Sequence, residues 1–470
     1  MLFPTSGFLL FFLVVAAVMA ALETRFATKK AVLVAASYYF YAQWDWRFCF
    51  LLAFSTGVSY VVGRLIGAAR RRDRRRLFLA TGVTLHLGVL GVFKYLDFFV
   101  LSANRLAQLL GLSHELPFFE LLLPVGISFF TFHGISYITD VYRGDVKVCR
   151  DPLDMALYMS FFPQLVAGPI VRAAYFLPQL ARPSAEPIPL APAMLLILGG
   201  LFKKVVVANY LATGLVDPVF AAPTSYGGPD LLLAVYGYAV QIYCDFSAYS
   251  DIAIGLAALL GFRFPPNFNQ PYRAERLREF WRRWHISLSS WLRDYLYKPL
   301  GGNRRGRLKT YRNLLVTMLL GGLWHGAAWK FVAWGALHGG GLAIERLLEP
   351  LIGRRAQTPA ARVIATIVVF HLVCLAWIFF RAEDFVVARL YIEGLAGGWR
   401  DGVQQAGPAM VALILVGMAG QFTPPALFER AAAALGRLPV WGLGATSGVA
   451  VAAIDALGPA GVAPFIYFRF

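Results

Sequence analysis

Apolar residues run in long stretches along this chain, and polar residues collect between them. Runs cover about 7–22, 31–43, 48–63, 77–101, 121–141, 153–171, 193–216 and 231–261; after a polar, basic stretch they resume at 314–323, 327–344, 363–380, 385–395, 409–421 and 440–457. A helix needs about 20 mostly apolar residues to cross a bilayer. The longer runs therefore predict spanning helices, and the short or Pro-broken ones predict half helices buried against protein. The run 153–171 holds Pro163 and Pro169 and is expected to turn back rather than cross. The first run, Gly7 to Leu22, has the length of a signal-peptide core but no basic stretch before it, so it reads as a retained helix. Roughly ten to twelve crossings would take about half the length and leave short loops. With no internal repeat, low-complexity tail or Gly/Ser linker, residues 1–470 read as a single membrane domain.

Composition sharpens this pattern. The 470 residues are 58% hydrophobic and 15% charged, with a mean hydropathy of +0.60, which excludes an ordinary water-facing surface. The net charge of +18 reads as membrane topology, with no nucleic-acid partner expected, because apolar and aromatic runs flank nearly every basic cluster. Seven arginines against Asp73 fall within 64–76, and thirteen Lys or Arg against Glu275, Glu279 and Asp294 fall within 263–312. The positive-inside rule makes the loop at 64–76 cytoplasmic and the amino terminus extracytoplasmic after three crossings. Placing 263–312 on the cytoplasmic side as well requires one intervening run to turn back. Cys49, Cys149, Cys244 and Cys374 are too scattered for a zinc site or a disulfide framework, so no metal is expected.

The chemistry concentrates in NFNQPYRAERLREFWRRWHISLSSWLRDYLYKPLGGN, residues 267–303. Helical spacing places Trp281, Trp284, Leu288 and Trp291 on one stripe, which predicts an amphipathic helix at a membrane surface or along a cavity. Interfacial anchoring accounts for the Trp and Arg residues, but not for His285 and Asp294. Forty residues on, MLLGGLWHGAAWKFVAWGALHGG is a hairpin-like apolar stretch with His325 and His338. Ionisable groups at membrane depth are costly and usually face a cavity or a partner. Gly321, Gly322 and Gly326 beside His325 suit a tunnel wall. His86, His133, His338 and His371 are expected to make ordinary hydrogen bonds between helices. The sequence has no G-x-S-x-G elbow, H-E-x-x-H pair, P-loop or dinucleotide fingerprint. Histidine remains as a general base, with an ordinary pKa of about 6.5 suited to taking a proton from a hydroxyl.

At these residues the chain resembles the membrane-bound O-acyltransferase family, in particular its bacterial branch of alginate O-acetyltransferases. The blocks that carry the resemblance are GISFFTFHGISYITDVYRG at 126–144, SFFPQLVAGPIVR at 160–172, YCDFSAYSDIAIG at 243–255, FWRRWHISLSSWLRDYLYKPLGGN at 280–303, LGGLWHG at 320–326 and the closing APFIYF. The resemblance implies an all-α polytopic fold of about eleven or more helices, some re-entrant or broken, around a transmembrane tunnel. It implies acyl transfer from acetyl-coenzyme A, a substrate rather than a resident cofactor, across the bacterial inner membrane to an extracytoplasmic polysaccharide. The family's intramembrane histidine falls on His325 and its second polar position on His285: one would deprotonate the hydroxyl while the other orients the donor or stabilises the oxyanion, and the roles are exchangeable. Arg282 and Arg283 are the candidates for the coenzyme phosphates. In the aromatic tail 464–470, Tyr467 is a candidate acyl relay. A periplasmic or membrane-anchored SGNH-type transferase is the expected partner. The competing expectations are a D-alanyl or other acyl transferase fed by a carrier protein, and a secondary transporter, which predicts symmetry-related broken helices.

Overall fold

A computed structural model describes residues 3–22, 25–112, 115–166, 168–182, 186–352, 358–400, 402–459 and 465. The regular structure among them is helical throughout, without a strand. The chain clusters into two compact units, one of residues 1–188, 257–265 and 326–328 and the other of 189–256, 266–325 and 329–470.

The first unit holds α1 (Ser6–Ala21), α2 (Phe26–Ala42), α3 (Phe48–Ala68), α4 (Arg72–Leu109), α5 (Ile127–Arg143), α6 (Pro152–Ser160), α7 (Phe162–Leu165) and α8 (Ala173–Ala181). Its centre is α5, where side chains from Ile127 to Val141 are nearly all buried. Small residues let α3 and α4 close on it: a Cβ at Gly63 would strike the Tyr137 ring at 2.6 Å, and one at Gly82 would strike Ile138 at 2.8 Å. The break expected in 153–171 is present. Asp151 caps α6 by accepting from the Leu153 N–H at 2.9 Å, Pro152 occupies the first turn, and the chain kinks at Phe161 before the four-residue, fully buried α7. The Ser37 hydroxyl takes up the Phe162 N–H at 3.1 Å, and Lys30 closes the group with Asp154 at 2.5 Å. These pieces are buried half helices, as their prolines dictate. The basic stretch 64–76, expected as a loop, is instead mostly helical. Only residues 69–71 lie between α3 and α4, because Asp73 in the first turn and the good helix-forming arginines extend α4 backwards.

The second unit holds α9 (Leu190–Ala221), α10 (Gly228–Leu259), α11 (Leu277–Arg283), α12 (Ile286–Leu292), α13 (Arg307–His325), α14 (Trp329–Ile352), α15 (Pro359–Arg381), α16 (Phe385–Leu395), α17 (Pro408–Ala419), α18 (Pro425–Leu435) and α19 (Val440–Leu457). α10 is the core element, 78% buried over its apolar window against 11% for α19. A π-helical stretch at Phe202–Ala208 in α9 presents two successive lysines to α10. Lys203 meets Asp251 at 2.5 Å and Lys204 meets Asp245 at 2.5 Å, the latter pair only 2% and 3% exposed. A charge this deep is tolerated only with its partner; removing one of the two typically costs about 3–5 kcal/mol. α13 and α14 form a hairpin joined by residues 326–328.

Among the described residues, six helices are long and apolar enough to cross a membrane: α3, α4, α9, α10, α15 and α19. The pair Pro408–Phe422 and Pro425–Leu435 adds a seventh if its 93° bend lies within one span. The other helices are shorter, broken or more polar than a free span. Phe50, Val363, Ile364, Leu415 and Val416 project outward, each more than half exposed. In water such surfaces would be unfavourable; against lipid tails they are the expected exterior. The chain is a multi-pass membrane protein.

Candidate active site

The segment 266–306 differs from the single amphipathic helix that its Trp spacing predicts. The helix breaks after Arg283 and restarts at Ile286, with His285 between them in the left-handed region at φ 41°. A non-glycine residue is held there only when its surroundings over-determine it. The over-determining partner is the strap at Asn267–Asn269. The Asn267 carbonyl accepts the Ile286 N–H at 2.9 Å, and the Asn269 N–H donates to the Arg283 carbonyl at 2.9 Å. The Asn267 side chain then caps α12, its Oδ1 accepting from the Ser287 N–H at 3.1 Å and the Ser287 hydroxyl at 2.8 Å. The stripe residues Trp281, Trp284, Leu288 and Trp291 are all buried in protein, so this is an interior, broken element and not a surface anchor.

His285 is completely buried. Its Nδ1 lies 3.2 Å from Asn267 Oδ1, and its ring stands edge-on to Phe246 with centroids 4.6 Å apart. The Trp324 ring lies 5.9 Å from His285 and 5.1 Å from His325. A single indole thus bridges the two imidazoles. His325, 3% exposed, closes the carboxyl end of α13 and is walled by Trp334 at 4.8 Å and Phe380 at 5.3 Å. The sequence separates His285 from His325 by forty positions; the α13–α14 hairpin and the strap bring both against Trp324.

The glycines before His325 do not line open space. A Cβ on Gly322 would run into the Phe331 carbonyl oxygen, and one on Gly321 would meet Leu292 Cδ1 at 3.1 Å. On α14, a Cβ on Gly335 would collide with the Met318 carbonyl oxygen. Gly322 and Gly335 let the backbones of α13 and α14 touch, so their role is hairpin closure, while Gly321 abuts the Leu292 side chain of α12. His86 and His371 make the expected inter-helix bonds: His86 lies 3.1 Å from both Ser55 and Ser59 hydroxyls, and His371 lies 2.7 Å from the Tyr236 hydroxyl. His338 does not. Its ring is buried against Phe280, Trp281 and Trp334, and neither nitrogen has a hydrogen-bond partner among the described residues.

Arg283 is paired with Glu279 at 2.7 Å and donates to the Asn269 carbonyl at 3.2 Å, so its charge is already engaged in holding the strap. Arg282 is exposed. Asp294 is shared by Arg293 at 2.9 Å and Lys298 at 2.7 Å, and its hydrogen bonds raise the Arg293 guanidinium above its ordinary range. Tyr467 and nearly all of the tail 464–470 lie outside the described residues. Phe465 is described and packs on Tyr249 at 4.4 Å and Phe246 at 5.7 Å, one ring away from His285. The residue overlooked in the sequence is Asn267. The prolines at 265 and 266 mark a strap, but a separation of eighteen positions conceals its pairing with His285.

In this helical, multi-pass membrane protein two buried imidazoles pack against one indole, and similarity to known proteins supplies the class, a membrane-embedded acyl-transfer enzyme. The chain belongs to the MBOAT, membrane-bound O-acyltransferase family, whose profile matches residues 147–383. It is an O-acyltransferase. It is similar to the probable alginate O-acetylase AlgI of Pseudomonas aeruginosa, with 46% identity over 77% of this chain and 69% of the relative. It is also similar to the peptidoglycan O-acetyltransferase of Helicobacter pylori, with 37% identity over 78% and 74%. Similarity to the teichoic acid D-alanyltransferase of Bacillus subtilis is lower, 29% over 58% and 73%.

Proposed function

We propose that this protein takes an acetyl group from acetyl-coenzyme A at the cytoplasmic face of the inner membrane and delivers it to a hydroxyl on the way to an extracytoplasmic polysaccharide. The observation that carries the reading is that His285 and His325 both pack against Trp324 and are both withdrawn from water. One imidazole removes the hydroxyl proton as the oxygen attacks the thioester carbonyl; the other faces the oxygen that becomes negative. The tetrahedral adduct collapses, the C–S bond breaks, and coenzyme A leaves as the thiol after recovering the proton. A low-polarity wall of Phe246, Trp324, Trp334 and Phe380 strengthens both interactions.

The relatives favour acetyl over D-alanyl as the group moved: those named for O-acetylation share 37–46% identity with this chain, against 29% for the Bacillus D-alanyltransferase. Phe465, packed one ring from His285, supports a role for the aromatic sequence around it, with Tyr467 as the relay. A phenolate, with pKa about 10, leaves an acyl group more readily than an alkoxide does. An SGNH-type transferase receives the group and completes the modification of the polymer.

His285→Ala and His325→Ala, in protein that retains its wild-type detergent-solubilised elution profile, are each expected to lower thiol release from acetyl-coenzyme A by about 100-fold or more. Near-wild-type turnover in both variants would remove the assignment.

A further inference from the structure

An acyl group that reacts beside His325 must lie against the rings that enclose that imidazole. Trp334 approaches it with ring centroids 4.8 Å apart, Trp324 at 5.1 Å and Phe380 at 5.3 Å. Trp334 is the nearest of the three, and it meets the imidazole edge to face at 82°, a direct contact without a gap for a methylene group. Trp324 packs on both histidines and so belongs to the pair itself. Trp334 has no ring contact with His285; it joins His325 to a second group of rings, His338 at 4.7 Å, Trp281 at 5.6 Å and Trp377 stacked at 6.0 Å. The indole is completely buried. Its backbone is held as well. Gly335, the next residue, lies so close to the Met318 carbonyl oxygen of α13 that a Cβ there would collide. Trp334 is thus anchored one residue from the closest approach of the two helices, and it shifts only if the hairpin opens.

We infer that Trp334 is a specificity-determining residue that limits the transferred group to acetyl, its indole filling the space beside His325 that a third acyl carbon would need. The inference rests on the proposed acetyl transfer and supplies a reason for the size of the group. The thioester carbon bears an oxygen, a sulfur and one carbon substituent. The oxygen and sulfur are engaged in the reaction, so the substituent is what the surrounding rings measure. A methyl group rests against an aromatic ring without displacing it. Each further methylene has to push back an indole that is packed on four other rings, Phe380 at 5.5 Å among them, and a close-packed interior resists such insertion. One methylene more or less in an apolar pocket changes kcat/KM by about 10- to 200-fold. Phe380 is smaller and farther from His325, so its removal yields less room.

The test is thiol release from acetyl-, propionyl- and butyryl-coenzyme A by the full-length protein, as wild type and as the Trp334→Phe, Trp334→Leu and Phe380→Leu variants. The readout is the ratio of kcat/KM for propionyl to that for acetyl within each protein, from which a loss of folded enzyme cancels. A merely structural Trp334 would lower both values and leave the ratio where it was. The wild type is expected to favour acetyl over propionyl by about tenfold or more, and over butyryl by more again. Trp334→Leu is expected to raise the propionyl-to-acetyl ratio by about tenfold or more, and Trp334→Phe to raise it by less. A wild type that uses butyryl as well as acetyl overturns the inference. So does an unchanged ratio in Trp334→Leu, or a larger rise in Phe380→Leu than in Trp334→Leu. Should Trp334→Leu fail to fold, the ratio in Trp334→Phe decides alone. The underlying reading fails separately, if His285→Ala and His325→Ala keep wild-type thiol release from acetyl-coenzyme A; an unmoved ratio with both histidine variants inactive removes the role of Trp334 only.

Discussion

At the scale of single residues, burial and pairing separate side chains that the sequence presents as equals. Arg282 and Arg283 stand side by side in a basic motif, and both are candidates for the coenzyme phosphates. The structure gives Arg283 a carboxylate at 2.7 Å and a strap carbonyl at 3.2 Å, and leaves Arg282 exposed. Arg282→Ala is expected to raise KM for acetyl-coenzyme A by about fivefold with kcat nearly constant, roughly 1 kcal/mol for an exposed charge contact. Arg283→Ala is expected to act through the strap, lowering thermal stability by about 1 kcal/mol and reducing kcat with little effect on KM. Steady-state kinetics on both variants, beside a melting curve for each, checks the split; equal KM effects would return Arg283 to the phosphate site. His285 and His325 were legible as candidates because ionisable groups are rare in apolar sequence. Asn267 was not, because an asparagine gives no such signal until a fold places it against the imidazole.

At the scale of elements, periodicity located the helices well and described their junctions poorly. The runs 385–395 and 440–457 coincide with α16 and α19, and the prolines of 153–171 foretold the broken pair α6 and α7. The Trp281–Trp291 stripe misled because α11 and α12 each keep helical spacing, so a stripe survives in the sequence although His285 breaks the helix between them. A three-residue spacing cannot register one left-handed residue. The α13–α14 hairpin shows the opposite case: its glycines are readable, but whether they face a void or a backbone depends on the partner helix. Gly322→Ala tests the backbone reading. A Cβ there meets the Phe331 carbonyl oxygen, which cannot move without displacing α14 and the Trp334 ring that walls His325. Overpacking of this kind costs about 1–3 kcal/mol. The variant is expected to melt earlier and lose most acyl transfer, whereas Gly340→Ala, whose Cβ meets nothing within 4 Å, should do neither. Unchanged melting of Gly322→Ala would restore an open wall beside His325.

At the scale of the whole molecule, hydropathy identified a multi-pass membrane protein at once, while the number and sense of the crossings depend on elements that do not cross. Six described helices are long and apolar enough to span, fewer than the apolar runs, because several runs fold into short, bent or broken helices buried against protein. The proposed direction of transfer rests on charge. Acetyl-coenzyme A carries several phosphate charges and does not pass a bilayer unaided, so the face that takes it up is a property of the orientation of the chain. Thirteen Lys or Arg fall within 263–312, the stretch that holds the strap and His285, and under the proposed function the positive-inside rule puts that stretch on the cytoplasmic side. External acetyl-coenzyme A is therefore expected to yield thiol in sealed inside-out vesicles and almost none in sealed right-side-out vesicles, with detergent restoring the latter to the same rate. Raised ionic strength should increase KM in the inside-out preparation, because screening weakens long-range attraction to those cations within a Debye length of about 8 Å. Equal rates in the two sealed preparations would place donor uptake on the wrong face, and the outward transfer of acetyl would have to be abandoned even if both histidines proved essential.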